Sequence, residues 1–188
     1  VLITGGARGV TAEVGVSLAE AFSPRLVLLG RSPRPSAEPG WLRALEDETS
    51  IKQGILAQAL EEDPGNRLTP RQLSDRYQGI ANNREILRNI QRMEDAGATV
   101  AYHSVDVTNP HEIDACLEDV TTRLGPVTGL VHGAGILADS YISDKSHADF
   151  ARVLATKIES ATTLLDRLRN AKLKVLVHFS SSTARYGR

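Results

Sequence analysis

The residues best able to do chemistry open the chain: Thr4-Gly5-Gly6-Ala7-Arg8-Gly9-Val10, directly behind the apolar run Val1 to Thr4. Glycines let a backbone turn tightly and approach a diphosphate, and a helix that follows offers its positive N-terminal end to the same charge. Gly5 and Gly9 meet those two needs. The next apolar run ends Leu28-Leu29-Gly30-Arg31-Ser32, placing a guanidinium where a ribose-binding acid would otherwise stand, with Arg8 as a second cation in the glycine turn. Both can make charge-assisted contacts to phosphate oxygens. Two other groups could handle a proton or a polar oxygen. Lys157 falls inside the apolar stripe Phe150, Val153, Leu154, Ile158, Ala161, Leu164 and Leu165, an unusual place for a cation. Ser181 stands in Phe179-Ser180-Ser181, behind another apolar run. A lysine can also snorkel to solvent, and a serine cluster after a strand can be a simple loop, so both readings stay open at this level.

These groups need elements to position them. Short apolar runs with β-branched residues alternate with longer segments of helical period, the pattern of βαβ units around a parallel sheet. Strands are expected over Val1 to Thr4, Arg25 to Leu29, Thr99 to Val105, Val127 to His132 and Lys174 to Phe179. Most are continuous apolar runs, as strands covered on both faces should be. The first helix starts near Gly9 and sets Val10, Val14 and Leu18 on one stripe. Another spans about Pro110 to Leu124, with Asn109 as N-cap, Pro110 at the first helical position and Glu112 three residues after the cap. Ile113, Cys116, Leu117, Val120 and Leu124 form its buried face. A longer helix spans roughly His147 to Arg169. Residues 33–83, punctuated by Pro33, Pro35, Pro39, Pro64 and Pro70, read as an insertion after the second strand. Trp41, Leu42, Leu45 and then Ile55, Leu56, Leu60 suggest one or two helices there, and Thr69-Pro70-Arg71-Gln72 a capped start of another. A helix with Ile86, Leu87, Ile90 and Met93 leads into the third strand and ends at Gly97. The expected fold class is α/β, a Rossmann-type doubly wound parallel sheet with a helical insertion, as one domain over 1–188.

With strand, glycine turn and helix in that order, Thr-Gly-x-x-x-Gly resembles the motif of the short-chain dehydrogenases/reductases. The usual third glycine is Thr11 here, and Gly-Gly-Ala-Arg-Gly-Val-Thr is similar to the version in ketoreductase domains of polyketide and polyunsaturated fatty acid synthases. The resemblance implies NADPH as cofactor. Thr4 to Val10 would then hold the diphosphate, and Arg31 with Ser32 the 2′-phosphate. Asp106-Val107 resembles the adenine-contacting position, where the carboxylate can accept from the exocyclic amine; the alternative is that Asp106 only orders a turn. His132-Gly133-Ala134-Gly135 resembles the family's Asn-Asn-Ala-Gly segment in its ketoreductase variant, where Gly133, Ala134 and Gly135 would lie against the nicotinamide ribose. Ser181 aligns with the serine that bonds the substrate carbonyl. Val153-Leu-Ala-Thr-Lys-Ile-Glu-Ser-Ala161 is similar to the helix carrying the ketoreductase lysine, which makes Lys157 the cation that tunes the proton donor and bonds the ribose. Leu137-Ala138-Asp139 resembles the Leu-Asp-Asp motif of ketoreductases giving the D alcohol, so Leu137 and Asp139 are substrate-side candidates. The family's tyrosine falls beyond Arg188; Tyr186 is too close to Ser181 and reads as a loop side chain.

The implied reaction is reduction of a 3-oxoacyl thioester on an acyl carrier protein, with other synthase domains of the same polypeptide as partners. A non-catalytic NADP-binding module and a free-standing reductase of a small ketone remain as alternatives. A net charge of -1 gives no footprint for nucleic acid. No stretch is long and apolar enough to span a bilayer, and a cytoplasmic location is expected. The single cysteine, Cys116, excludes disulfides within the chain and reads as a buried thiol, and no metal site is expected. The chain opens inside an apolar run without methionine and closes in a loop that should be functional. It is therefore expected to be cut from a longer polypeptide, with further C-terminal strands missing.

Overall fold

The computed structural model describes residues 1–63, 65 and 67–181. They divide into two compact units, one formed by Val1–Arg34 and the chain from Asn89 onward, the other by Pro35–Arg88.

In the first unit, β1 (Leu2–Thr4), β2 (Arg25–Gly30), β3 (Thr99–Ser104), β4 (Gly129–His132) and β5 (Val175–His178) form one sheet in the order β3-β2-β1-β4-β5. Every pairing is parallel. The order runs outward from β1 to β3 and restarts at β4 on β1's other side. The C-terminal ends of β1 and β4 therefore border the switch point at which such sheets open a ligand crevice. Leu2, Val27, Leu29 and Leu130 pack on one face with Ile113, Cys116 and Val120 of α4 (Pro110–Leu124) and Leu164 of α6 (Ser160–Arg167). Because strand side chains alternate, Ile3 and Leu28 point the other way, toward the glycine turn and α1 (Gly9–Phe22). Asn109 caps α4 through His111 N at 3.1 Å, while Glu112 accepts from Asn109 Nδ2 and from Asp106 N. That network fixes the turn between β3 and α4. The Cys116 thiol is buried in this core, which pushes its pKa up to about 11 and keeps it protonated and unreactive.

Two expectations about this unit need correction. The buried face of α1 is Thr11, Ala12, Gly15, Val16 and Ala19, whereas Val10 is 72% exposed and Val14 and Leu18 are only half-buried. Small residues face inward because the helix lies so close to its neighbours that a Cβ on Gly15 would collide with Met93. The long C-terminal helix is broken into α5 (His147–Leu154), a π turn (Ala155–Glu159) and α6. One extra residue in that turn shifts the ladder, and no single apolar stripe runs across it: Phe150 and Leu154 before the turn, Ile158 within it and Leu165 after it are exposed, while Thr156, Ser160, Ala161 and Leu164 are buried. Among the described residues β5, one of the two outermost strands of this sheet, is exposed along its length.

The second unit has its own small core of Leu42, Ile51 and Ile55. Arg84 makes a bidentate pair with Glu38, at 2.6 and 2.9 Å, and also donates to the carbonyls of Leu42 and Leu45. Those bonds hold Trp41 to Ala44 in turns, where the apolar spacing suggests a helix. Helix α2 (Glu48–Glu62) is capped by Asp47. Thr69 and Gln72 form the reciprocal bonds of a capping box, and α3 (Pro70–Asp95) continues from there without a break. The two helix signals read in 70–97 thus belong to one element, which Gly97 terminates at φ 92°. No described helix is long and apolar enough to cross a membrane.

Candidate functional site

The glycine turn leaves β1 with Gly5 at φ 67° and Gly9 at φ 60°, conformations that glycine adopts without strain. A Cβ on Gly5 would sit 3.2 Å from the backbone of Gly133 and Ala134, so the turn and the loop behind β4 are in close contact. A Cβ on Gly9 would meet nothing within 4 Å among the described residues, and α1 begins there. Gly6 differs from both: a Cβ there would strike Ile3 and Leu28, making it a packing residue. Arg8 and Val10 are exposed at the mouth of the turn. The Ala7 carbonyl accepts from Asn89 Nδ2 at 3.1 Å, and Asn89 in turn accepts from Arg92, itself paired with Glu13 on α1. Asn89 was missed in the sequence. Its signal is a polar residue in step with Ile86, Ile90 and Met93, and it is 4% exposed.

The missing third glycine has a structural answer. Thr11 occupies that position, and its side chain stands where a Cβ on Gly133 would go. Helix α1 and the loop behind β4 approach closely, with the glycine on the loop side instead of the helix side.

At the ends of β2 and β3, Tyr102 Oη donates to the Ser32 carbonyl at 2.7 Å and Ser104 Oγ to the Arg31 carbonyl at 3.2 Å. These bonds fix the backbone that carries the exposed Arg31 and Ser32 side chains. Burial raises the Tyr102 pKa, and the Arg8 charge works against that rise; at Asp106 the pKa is lowered, with the Arg31 charge as the smallest cause. The main cause at Asp106 is Thr108, whose amide and hydroxyl donate to its carboxylate at 2.9 and 2.7 Å. Asp106 does order a turn. Val107 buries its side chain in the core, leaving only its backbone for a ligand.

On the other side of the glycine turn, the π turn delivers Lys157 to the loop behind β4. Its Nζ donates to the Ala134 carbonyl at 3.2 Å, and burial lowers its pKa from the ordinary lysine value. Ser181 lies three residues past β5, whose end pairs His178 with His132 of β4. Ser181 and Gly133-Ala134-Gly135 therefore leave the same edge of the sheet. Leu137, 90% exposed, and Asp139 lie further along the loop behind β4. Tyr186 lies outside the described residues.

Beneath Lys157 sits His132, 1% exposed, bonded to Thr4 Oγ1 at 2.9 Å and facing the Lys157 carbonyl at 3.2 Å. Burial first, then the Lys157 and His178 charges, lower its pKa to about 4. A histidine depressed below its unfolded value of about 6.5 contributes full stability above that pH and loses it as pH falls toward the folded pKa. Unfolding free energy should drop by about 2 kcal/mol between pH 7.5 and pH 5 on this account, and the loss should vanish in His132→Asn. Denaturant titrations at the two pH values measure it; an equal drop in the variant would assign it elsewhere.

The KR domain family matches residues 1–188. The chain is 29% identical over 191 residues to one chain of the polyunsaturated fatty acid synthase of Thraustochytrium sp., a match covering 99% of this chain and 7% of that protein. Among solved structures, an N-terminal ketoreductase from a macrolactin assembly line superimposes at TM-score 0.70 and 24% identity, over 100% of this chain and 29% of that one. A dehydrogenase of Burkholderia cenocepacia with bound NADP superimposes at TM-score 0.60 and 14% identity, over 90% of this chain and 46% of that one. The chain thus spans a small part of the synthase it matches and under half of either solved protein. With a family match from first residue to last on a parallel sheet whose glycine turn, arginines and lysine stand as described, the chain belongs to the KR domain family.

Proposed function

We propose that this chain binds NADPH and that the polypeptide carrying it reduces a 3-oxoacyl thioester, held on an acyl carrier protein, to the 3-hydroxyacyl form. The observation that carries the reading is the half-buried Lys157 ammonium, brought by the π turn to the loop that touches the glycine turn. A cation in that crevice is what a dinucleotide ribose and a developing oxyanion both require.

The residues present fit the cofactor. The Thr4-to-Val10 turn, with Gly5 at φ 67° seated against the Gly133–Ala134 backbone and Gly9 at φ 60° where α1 begins, suits the diphosphate at the positive end of that helix. Arg31, Ser32 and Arg8 suit the 2′-phosphate. Asp106 and the Val107 backbone suit the adenine edge. Gly133, Ala134 and Gly135 present small residues to the nicotinamide ribose. When bound, the reduced nicotinamide supplies a hydride to the β-carbon of the substrate. Ser181 Oγ–H then donates to the β-keto oxygen as negative charge develops on it. Lys157 holds a ribose hydroxyl and lowers the pKa of a phenolic proton donor, which the family resemblance places beyond Arg188. Leu137 and Asp139 face the entering acyl chain. Other synthase domains of the same polypeptide present the substrate, and the work is cytoplasmic.

The test is turnover of the intact polypeptide with a 3-oxoacyl thioester, followed as loss of NADPH absorbance. Lys157→Met and Ser181→Ala should each lower kcat by about 100-fold or more. An intact protein that binds NADPH and turns over no such thioester would sink the reading.

A further inference from the structure

Among the described residues, His132 is a fully buried titratable group that this chemistry leaves without a task, and its hydrogen bonds run in a closed circuit through Lys157. A carbonyl only accepts, so the 3.2 Å contact with the Lys157 oxygen puts the imidazole proton on Nε2. Ser160 Oγ, 3.3 Å from the same nitrogen, gives its own proton to the Thr156 carbonyl and so accepts as well. Nδ1 therefore carries a lone pair and takes the proton of Thr4 Oγ1 at 2.9 Å. Thr4 Oγ1 accepts in turn from Ala134 N at 3.0 Å, and the carbonyl of that same Ala134 accepts from Lys157 Nζ at 3.2 Å. The circuit leaves Lys157 by its backbone oxygen and returns by its ammonium.

The circuit meets the helix at the π turn. Ser160 N reaches back five residues to the Ala155 carbonyl, so the ladder slips by one position around Lys157. Within the turn, Thr156 and Ser160 are buried while Ile158 is 50% exposed. Restoring a plain α-helix would rotate Lys157 by about 100° relative to the preceding segment. From outside the helix, His132 resists this through its bond to the Lys157 carbonyl and its contact with Ser160 Oγ, and the Lys157 Nζ bond to the Ala134 carbonyl adds to it.

We propose that His132 is the positioning residue for Lys157: its Nε2–H, anchored through Nδ1 to Thr4 on β1, clamps the carbonyl of the π turn and so sets where the ammonium enters the cofactor crevice. The neutral state that burial imposes on the imidazole keeps one proton on Nε2 and one lone pair on Nδ1, as the clamp requires. The role rests on the reading of Lys157 given above, and it assigns His132 no contact with cofactor or substrate.

A pair of variants separates the two ends of the imidazole. His132→Asn can still meet Thr4 but is too short to reach the Lys157 oxygen; His132→Gln places an amide N–H near the old Nε2. With the full chain, NADPH affinity is measured by fluorescence titration, and the Lys157 pKa by the pH dependence of its labelling with an amine-selective reagent. His132→Asn should weaken NADPH by about tenfold and raise the Lys157 pKa toward the ordinary lysine value as the ammonium reaches water. His132→Gln should restore both toward native. Native values in His132→Asn, or equal defects in both variants, would overturn the proposal. If His132→Asn does not fold, native labelling and affinity in His132→Gln support the clamp and their loss removes it. Lys157→Met is the control: unchanged NADPH affinity there sinks the role of Lys157 itself, whereas a loss there with none in His132→Asn sinks only the clamp.

Discussion

Arg31→Ala should weaken NADPH binding by about ten- to a hundredfold while changing NADH by less than about twofold. The difference isolates the 2′-phosphate, since that group alone distinguishes the two ligands at this corner. A charge-assisted contact to phosphate contributes about 1.5–3 kcal/mol, which sets the range. The side chain is well placed to realise it, because the Arg31 and Ser32 carbonyls are tied down by Ser104 and Tyr102. Little ordering of the backbone is left for the ligand to bring about. Arg8→Ala in the Arg31→Ala background should take the combined loss to about a thousandfold if the exposed Arg8 of the glycine turn also meets the 2′-phosphate. Paired titrations with the two nicotinamides measure the ratio. Equal losses for NADPH and NADH would show that neither arginine reads the phosphate.

The largest effect on stability should come from a single methyl group. Gly133→Ala puts a Cβ into the side chain of Thr11, a β-branched residue in the first turn of α1 with little freedom to rotate. The expected destabilisation is about 3 kcal/mol, at the upper end for overpacking, because helix and loop must separate to relieve it. Thr11→Gly in that background removes the clash and should recover more than half of the loss, less the cost of a helical glycine of about 1 kcal/mol. Urea unfolding of the four proteins gives the coupling. Additive effects would mean that Thr11 does not stand in for the absent glycine.

The same pair shows how much of the molecule was legible. Strands β1 to β5 were readable to within one or two residues because parallel strands need continuous apolar runs. The start of α4 was readable because Asn109, Pro110 and Glu112 each satisfy a distinct backbone group. The glycine turn, Arg31 and Lys157 stood out by residue type. What escaped reading depends on contacts far apart in sequence. The Thr11–Gly133 compensation looks like a lost glycine until helix and loop are brought together. Asn89 looks like a surface amide until the Ala7 carbonyl is found beneath it. The π turn leaves no periodic signal, since the residues it buries, Thr156 and Ser160, are polar and satisfy themselves with side-chain bonds to carbonyls. The apolar stripe drawn through Phe150 and Leu165 was consequently drawn on a helix that does not run straight through.

The close seating of Gly5 against Ala134 also bears on how fast a ligand is captured. The bonds from Gly133 N to the Thr4 carbonyl and from Ala134 N to Thr4 Oγ1 lock the two loops into one preorganised surface. A coenzyme arriving there meets a mould already cast, so association should follow simple single-step kinetics without a slow isomerisation, and discrimination among ligands should reside in how long each stays.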